Sequence, residues 1–411
     1  MPMGDSLTIS GPRLMARLQT LGEIGALPGG GVCRLALSEE DRQGRERVLA
    51  WMHDLGLEVS SDAMGNLFGL RPGLEAGPPV MTGSHIDTVR TGGLYDGNLG
   101  VLAGLEAIET LNDAGITTRR PLCVAVFTNE EGARFAPDMM GSLVYVGGMP
   151  LEEALATRGI DGERVGDCLD AIDARGSDPV GAPDVHAFVE LHVEQGPVLE
   201  ETGVTLGAVE KVQGISWTEF TFTGTSNHAG TTPMRLRHDA GYAAMATATF
   251  VRELVTRIGG DQVGTVGSLE IAPNLVNVVA NHARFTVDLR NTVNQQLAMA
   301  EQELADFVAR LAGQEGIQVE RRTLARFDPV PFDPAMVDLV EKQAHALGHS
   351  VMRMPSGAGH DAQMLARVCP TSMIFVPSVG GISHNIHEFT SPEDLEAGAN
   401  VLLQVLLALS E

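Results

Sequence analysis

Aromatic side chains are scarce in this sequence: Phe, Tyr and Trp make up 4% of 411 residues. Cysteine is scarcer still. Cys33, Cys123, Cys168 and Cys369 are scattered, with no CxxC pair, which argues against a disulfide framework and reads as reduced thiols in a cytoplasmic protein. Positive charge is also short, with 28 Lys and Arg against 53 Asp and Glu and a formal charge of −25. That balance excludes nucleic acid as an expected partner, while an acidic surface favours solubility. No apolar run approaches the length of a membrane span, so no membrane association is expected. The N-terminal MPMGDSLTIS has neither the basic nor the apolar region of a signal peptide. The glycine-rich Pro28–Gly31 lacks the Lys-Ser/Thr of a phosphate loop and reads as a plain loop.

What remains is ordinary globular usage, 44% hydrophobic and 20% charged, over a length that suits two or three domains. One stretch organises it: Gly83 to Gly100, GSHIDTVRTGGLYDGNLG. His85 and Asp96 are metal-ligand types, and Asp87, two residues after His85, is placed to accept a hydrogen bond from its other ring nitrogen. A short buried strand over Pro79–Thr82 precedes the motif and an apolar helix over Asn98–Leu111 follows it. In open α/β sheets, ligands bind at such strand ends. Alone, an H-x-D on a loop is more often a satisfied turn than a metal site.

Elsewhere, residues 7–25 and 39–55 read as helices, the second started by Ser38 and three acidic residues. Leu57–Val59 and Asn66–Leu70 suggest a hairpin. Leu122–Phe127 reads as a central parallel strand ending in Glu130-Glu131, which suits either a ligand beside a base or a solvated acidic turn. A helix is expected over Asp138–Val146, and residues 151–185 read as helix and loop. Val185–His192 is a further buried strand, with His192 a ligand or a core histidine held by a carbonyl. The pattern then changes. Strand 215–223, helix 238–257, strands 263–271 and 283–290, helix 294–313 and strand 317–326 follow the β-α-β-β-α-β order of a ferredoxin-like unit, which reads as an insertion. Inside it, His228 lies in a turn. The α/β pattern resumes with His360, a strand over Met373–Val376, then His384 and His387, three apart, and a closing helix over Pro392–Leu409. Four strand-end loops thus carry His, Asp or Glu, and five ligands suit two metals bridged by one carboxylate.

The stretches GSHIDT, GGLYDGNLG, FTNEEGARF, ELHVEQGPVLE, SNHAGTTPM, PSGAGHDAQ and GISHNIHE span residues 83–388. Together they resemble the M20-type dinuclear metallohydrolases, and within them the hydantoinase/carbamoylase group. That group comprises N-carbamoyl-L-amino acid hydrolases, allantoate amidohydrolases and β-ureidopropionases.

The resemblance implies an α/β fold, a phosphorylase/hydrolase-like mixed sheet sandwiched by helices. It would comprise a catalytic domain over residues 1–212 and 329–411 and a ferredoxin-like lid and dimerisation domain over 213–328. It implies two divalent metals, zinc or manganese, cobalt or nickel. His85 and His192 would bind one, Glu131 and His384 the other, and Asp96 both. Glu130 would be the general base, Asp87 would orient His85, and His228 would stabilise the oxyanion from the partner subunit of a homodimer. Gln195, His228, Asn277 and Arg290 would grip the ureido group and carboxylate of a small substrate, with His360 nearby. The implied reaction is hydrolysis of an N-carbamoyl-L-amino acid to amino acid, CO2 and NH3. Allantoate or N-carbamoyl-β-alanine hydrolysis are alternatives, and an N-acyl amino acid deacylase or a non-catalytic metal-binding scaffold more distant ones. One departure is visible: after Asn277-Val278-Val279 the family usually has Pro-Gly, whereas this chain has Ala280-Asn281.

Overall fold

The computed structural model describes residues 7–411, so most of the N-terminal segment read for a leader lies outside the described residues. The chain forms two compact units, residues 1–210 with 331–411, and residues 211–330. In chain order the strands are β1 (Glu58–Ser61), β2 (Leu67–Arg71), β3 (Val80–His85), β4 (Leu122–Phe127), β5 (Ala187–Val193), β6 (Leu206–Val212), β7 (Gly214–Thr223), β8 (Val263–Ala272), β9 (His282–Asn291), β10 (Gln318–Phe327), β11 (Val330–Pro331), β12 (Val351–Ser356) and β13 (Thr371–Val376).

The larger unit is built on a nine-stranded mixed sheet in the order β1-β2-β4-β3-β5-β13-β6-β11, with β12 on β6. Its centre, β4-β3-β5-β13, is parallel, and every residue of those strands is buried. Buried parallel strands are continuous apolar runs, which is why LCVAVF reads so plainly. Helices Asn98–Asp113 and Pro392–Ser410 pack on these strands and on each other, joined by Gly11–Gly22 and Pro334–Ala346. Ser38, Asp333 and Ser391 each cap a helix start with a side-chain oxygen on a backbone N–H of the first turn. Side chains alternate across the sheet: Leu191 and Val376 lie under Gly398 of the last helix, whereas Glu190 faces the short helix Asp361–Leu365.

The sequence pattern and the structure differ at particular places. The first helix is shorter than 7–25, beginning after Ser10 with Pro12 in its first turn. β3 runs on through His85, so that histidine ends a strand instead of sitting in a loop. The helix expected over Asp138–Val146 is only Met140–Tyr145, because Met139 is left-handed. β6, β11 and β12 carry no clear alternation of their own and were not evident in the sequence.

The smaller unit has a four-stranded antiparallel sheet in the order β10-β7-β9-β8, with helices Ala240–Ile258 and Asn294–Glu315 packed on it. Phe220, Phe222 and Phe285 from adjacent strands cluster beneath them, and Phe250 stacks on Phe307 with ring centroids 4.0 Å apart.

In the larger unit, Arg34 is wholly buried and ties the exit of β3 to its surroundings. It donates to the carbonyls of Ile86, Leu21 and Ile24 and to Asn98 Oδ1. Arg34→Met would leave these acceptors unpaired in the interior and is expected to cost about 3 kcal/mol. The check is urea denaturation: a lower midpoint at unchanged slope is expected.

Candidate functional site

His85, Asp96, Glu130, Glu131, His192 and His384 arrive on the exits of the four parallel strands and meet there. Asp96 is the hub, with its two oxygens facing different groups. Oδ1 lies 3.2 Å from His192 Nε2 and 3.7 Å from His85 Nε2. Oδ2 lies 3.1 Å from His384 Nε2, which is itself 3.3 Å from Glu131 Oε2. Two sets of three donors, His85-Asp96-His192 and Asp96-Glu131-His384, are each tight enough to hold a metal ion, and they share Asp96. Glu130 Oε2 stands 3.2 Å from His85 Nε2.

The donor chemistry fits a divalent cation. His85 Nδ1 donates to the carbonyl of Asp87 at 2.9 Å, and His192 Nδ1 to that of Val193 at 2.9 Å. With Nδ1 spent on a carbonyl, each ring turns Nε2 toward the cluster, where its neutral form is a cation ligand, and the Gly97 nitrogen lies 3.1 Å from His192 Nε2. Lone pairs and carboxylate oxygens converging on one point repel unless a cation lies between them. Among the described residues no Lys or Arg is ion-paired with Asp96, Glu130 or Glu131. Burial first, then the neighbouring carboxylates, hold Glu130 and Glu131 well above the usual range. Burial lowers His85 to about 4, whereas at His192 the Asp96 hydrogen bond outweighs burial and raises it to about 9.

Asp87 does something other than expected. Its carbonyl, not its carboxylate, takes the His85 hydrogen bond; Oδ1 is 3.8 Å from Nδ1. The carboxylate accepts instead from the backbone N–H groups of Glu130 and Glu131 at 3.2 and 3.3 Å. The strand ends at His85, so the chain turns there and brings the Asp87 carbonyl back over the ring. Gln195 Nε2 lies 3.0 Å from Asp96 Oδ2 and 3.3 Å from His384 Nε2, while its buried Oε1 has no partner. That amide orientation is fixed, because Asp96 requires a donor. His360 is buried, stacks edge-on against His192 at 4.5 Å, and shares a hydrogen bond with Ser356. His387 is exposed and takes no part. Asn129, Gln195 and His384 all have φ between +53° and +58°, and such backbone outliers gather at functional sites.

His228, Asn277 and Arg290 belong to the smaller unit. His228 is exposed, and its Nδ1 accepts from the N–H groups of Gly230 and Thr231, which leaves Nε2 as the outward N–H donor. The segments around His228 and Asn277 are paired, Ala229 donating to Asn277 and Val279 to Asn227. Ala280-Asn281 does not break this pairing: both residues close onto neighbouring backbone. Arg290 is gripped by Asp288, with Nη2 2.9 Å from Oδ2.

The sequence did not single out Glu190, Asp361 or Glu388 as parts of the site. Glu388 accepts from the N–H groups of Tyr95 and Asp96, and Asp361 accepts from Ser142 at 2.5 Å with its other oxygen unpartnered. A glutamate inside the apolar run AFVELHV was the available signal for Glu190.

The profile of Peptidase family M20/M25/M40 matches residues 81–408, and the chain belongs to that family. Within it, the chain is similar to an amidase of the hydantoinase/carbamoylase family from Burkholderia multivorans, with 44% identity, a TM-score of 0.96 and 99% of each chain covered. It is 41% identical to an N-carbamoyl-L-amino-acid amidohydrolase of Rhizobium meliloti, over 99% of this chain and 98% of that one. It is 34% identical to a ureidoglycolate hydrolase of Arabidopsis thaliana, over 99% of this chain and 88% of that one.

Gly97, at φ +65°, lies against the His85 ring; a Cβ there would sit 2.4 Å from Cε1 and Nε2. Gly97→Ala is therefore expected to displace His85 and lower zinc affinity about tenfold or more. Isothermal titration of the metal-stripped protein checks this.

Proposed function

We propose that the chain hydrolyses the carbamoyl C–N bond of N-carbamoyl-L-amino acids, giving amino acid, CO2 and NH3, with two divalent cations of the zinc, manganese, cobalt or nickel kind. The observation that carries the reading is Asp96, whose two oxygens face two separate donor sets. His85 and His192 are assigned to one cation, Glu131 and His384 to the other, with Asp96 common to both. The cations would supply Lewis-acid activation of water and of the carbamoyl oxygen.

The residues do the rest. Glu130, raised by burial and by neighbouring carboxylates, takes a proton from the attacking water. Water oxygen bonds to the carbamoyl carbon, the bond from that carbon to the amino nitrogen breaks, and Glu130 returns its proton to that nitrogen. The carbamic acid released decomposes to CO2 and NH3. Asp87 holds the Glu130-Glu131 backbone in place through its carboxylate. The unpartnered Oε1 of Gln195 offers an acceptor to a ureido N–H, which an acetyl group lacks. His360 lines the same cluster beside His192.

We assign further contacts to the smaller unit. The Nε2–H of His228 suits a developing oxyanion, Asn277 the ureido group, and Arg290 the substrate carboxylate, for which a substrate competes with Asp288. The unit's strand order is that of a ferredoxin-like fold, and we propose it as lid and homodimerisation domain. Exposed Met234, Tyr242, Met245, Leu275 and Val276 support an interface role. Four free cysteines fit a cytoplasmic setting, and no helix among the described residues is long and apolar enough to cross a membrane.

The deciding experiment is product analysis of metal-reconstituted protein on N-carbamoyl-L-amino acids, allantoate, ureidoglycolate, N-carbamoyl-β-alanine and an N-acetyl amino acid. Ammonia from the first is expected; acetate from the last, without ammonia from any ureido compound, overturns the proposal. Glu130→Gln should retain both metals yet slow turnover by about 10²–10⁴-fold, read from steady-state rates beside metal content. Arg290→Ala should raise KM for carboxylate substrates far more than it lowers kcat, and unchanged kinetics would remove it from the site.

A further inference from the structure

Glu190 is a fully buried carboxylate with no role in the reaction above. It lies on β5 two residues before His192, on the same face of the strand. Its two oxygens are used differently. Oε1 accepts from Ser84 Oγ at 2.6 Å, and Ser84 is the residue next to His85. Oε2 accepts from the backbone N–H of Ala362 at 2.9 Å, two residues beyond His360. One carboxylate thus joins β3, β5 and the helix Asp361–Leu365 at the point where His85, His192 and His360 are presented. A carboxylate oxygen of Glu190 and ring nitrogens of His192 and His360 all lie within 4.8 Å of one another.

Packing alone does not explain this residue. Two hydrogen bonds leave an ionised carboxylate under-satisfied in the interior, and no Lys or Arg among the described residues is ion-paired with it. The surrounding strand positions, Val189 and Leu191, are apolar and equally buried. A negative charge close to an imidazole raises its basicity, and Glu190 acts on His192 in this way. Nothing comparable links Glu190 to Glu131 or His384, which arrive on the exits of β4 and β13.

We propose that Glu190 is a positioning residue for one metal position only, the one served by His85 and His192, acting through its charge beside His192 and its hydrogen bond to Ser84. The inference rests on the two-cation reading given above, and the order of measurement keeps the two apart. Wild-type protein is first titrated with zinc against a competing chelator, and the two equivalents are assigned to positions with His192→Ala and His384→Ala. Failure of the wild type to bind two equivalents overturns both the reading and the inference.

With two equivalents bound, Glu190→Gln is then titrated in the same way. The neutral amide keeps the shape and can keep both bonds, its oxygen accepting from Ala362 N–H and its NH2 donating to Ser84 Oγ, but it loses the charge. The expected result is about a 10–100-fold loss of affinity at the His85/His192 position and wild-type affinity at the other. Cobalt reconstitution gives an independent signature: the visible d–d bands of the first position shift and those of the second do not. If Glu190→Gln does not fold, Ser84→Ala, which keeps the charge and removes one bond, should show a smaller loss at the same position alone. Equal losses at both positions, or none at either, in whichever variant folds would falsify the inference.

Discussion

The whole of the larger unit serves one electrostatic constraint: Asp96 has to be held, buried and ionised, among the ring nitrogens of His85, His192 and His384. Its pKa lies well below the ordinary carboxylate value, although burial pulls the other way, because the imidazoles of His192 and His384 hydrogen-bond to it. Glu130 and Glu131 crowd the same space and are pushed upward. The carboxylates of this cluster repel one another, so its geometry depends on the surrounding backbone as well as on the contacts between Asp96 and the histidines.

That backbone is cross-braced at every strand exit. The Asp87 carboxylate ties the β3 exit to the β4 exit through two N–H groups. Glu388 ties the β13 exit back to the β3 exit at Tyr95 and Asp96, and Ser383 donates to it at 2.9 Å. Gln195 N–H reaches Ser378 Oγ and Glu194 N–H reaches the Val376 carbonyl, joining the exits of β5 and β13. Gly97 N–H meets His192 across the exits of β3 and β5. The braces on the acidic side are carboxylates accepting backbone N–H bonds, an arrangement that fixes a loop without adding a competing cation near the metal donors. Glycine at 93 belongs to the same design, since a Cβ there would strike the Glu388 carboxylate.

Much of this was legible in the sequence, and the reason is periodicity. The central strands are short uninterrupted apolar runs, and the units of the inserted segment alternate cleanly, so LCVAVF and the strand-helix-strand order after Gln213 could be read directly. Residues of ligand type fall just past such runs, which marks His85, Glu130, Glu131, His192 and His384 as a set. What could not be read is which atom does what. Nothing in H-x-D distinguishes a carboxylate from a main-chain carbonyl as the partner of His85, because that is decided by where β3 stops. Glu190 and Asp361 escaped because their partners, Ser84 with Ala362 and Ser142, lie 106, 172 and 219 residues away. β6 and β12 escaped because their pairing is specified by the sheet edge they complete and not by their own pattern.

On the proposed two-cation reading, the crowding of carboxylates in this cluster would couple folding to metal loading. Carboxylates and imidazoles gathered out of water subtract from stability when no cation is bound, and the braces around them are what the fold supplies to offset this. A ligand that binds the folded state alone at a thousand times its Kd adds about 4 kcal/mol, a large share of the roughly 5–15 kcal/mol that holds a typical domain together. Stability of the larger unit and competence of its site follow from the same bonds, with Asp96 the carboxylate through which both are transmitted.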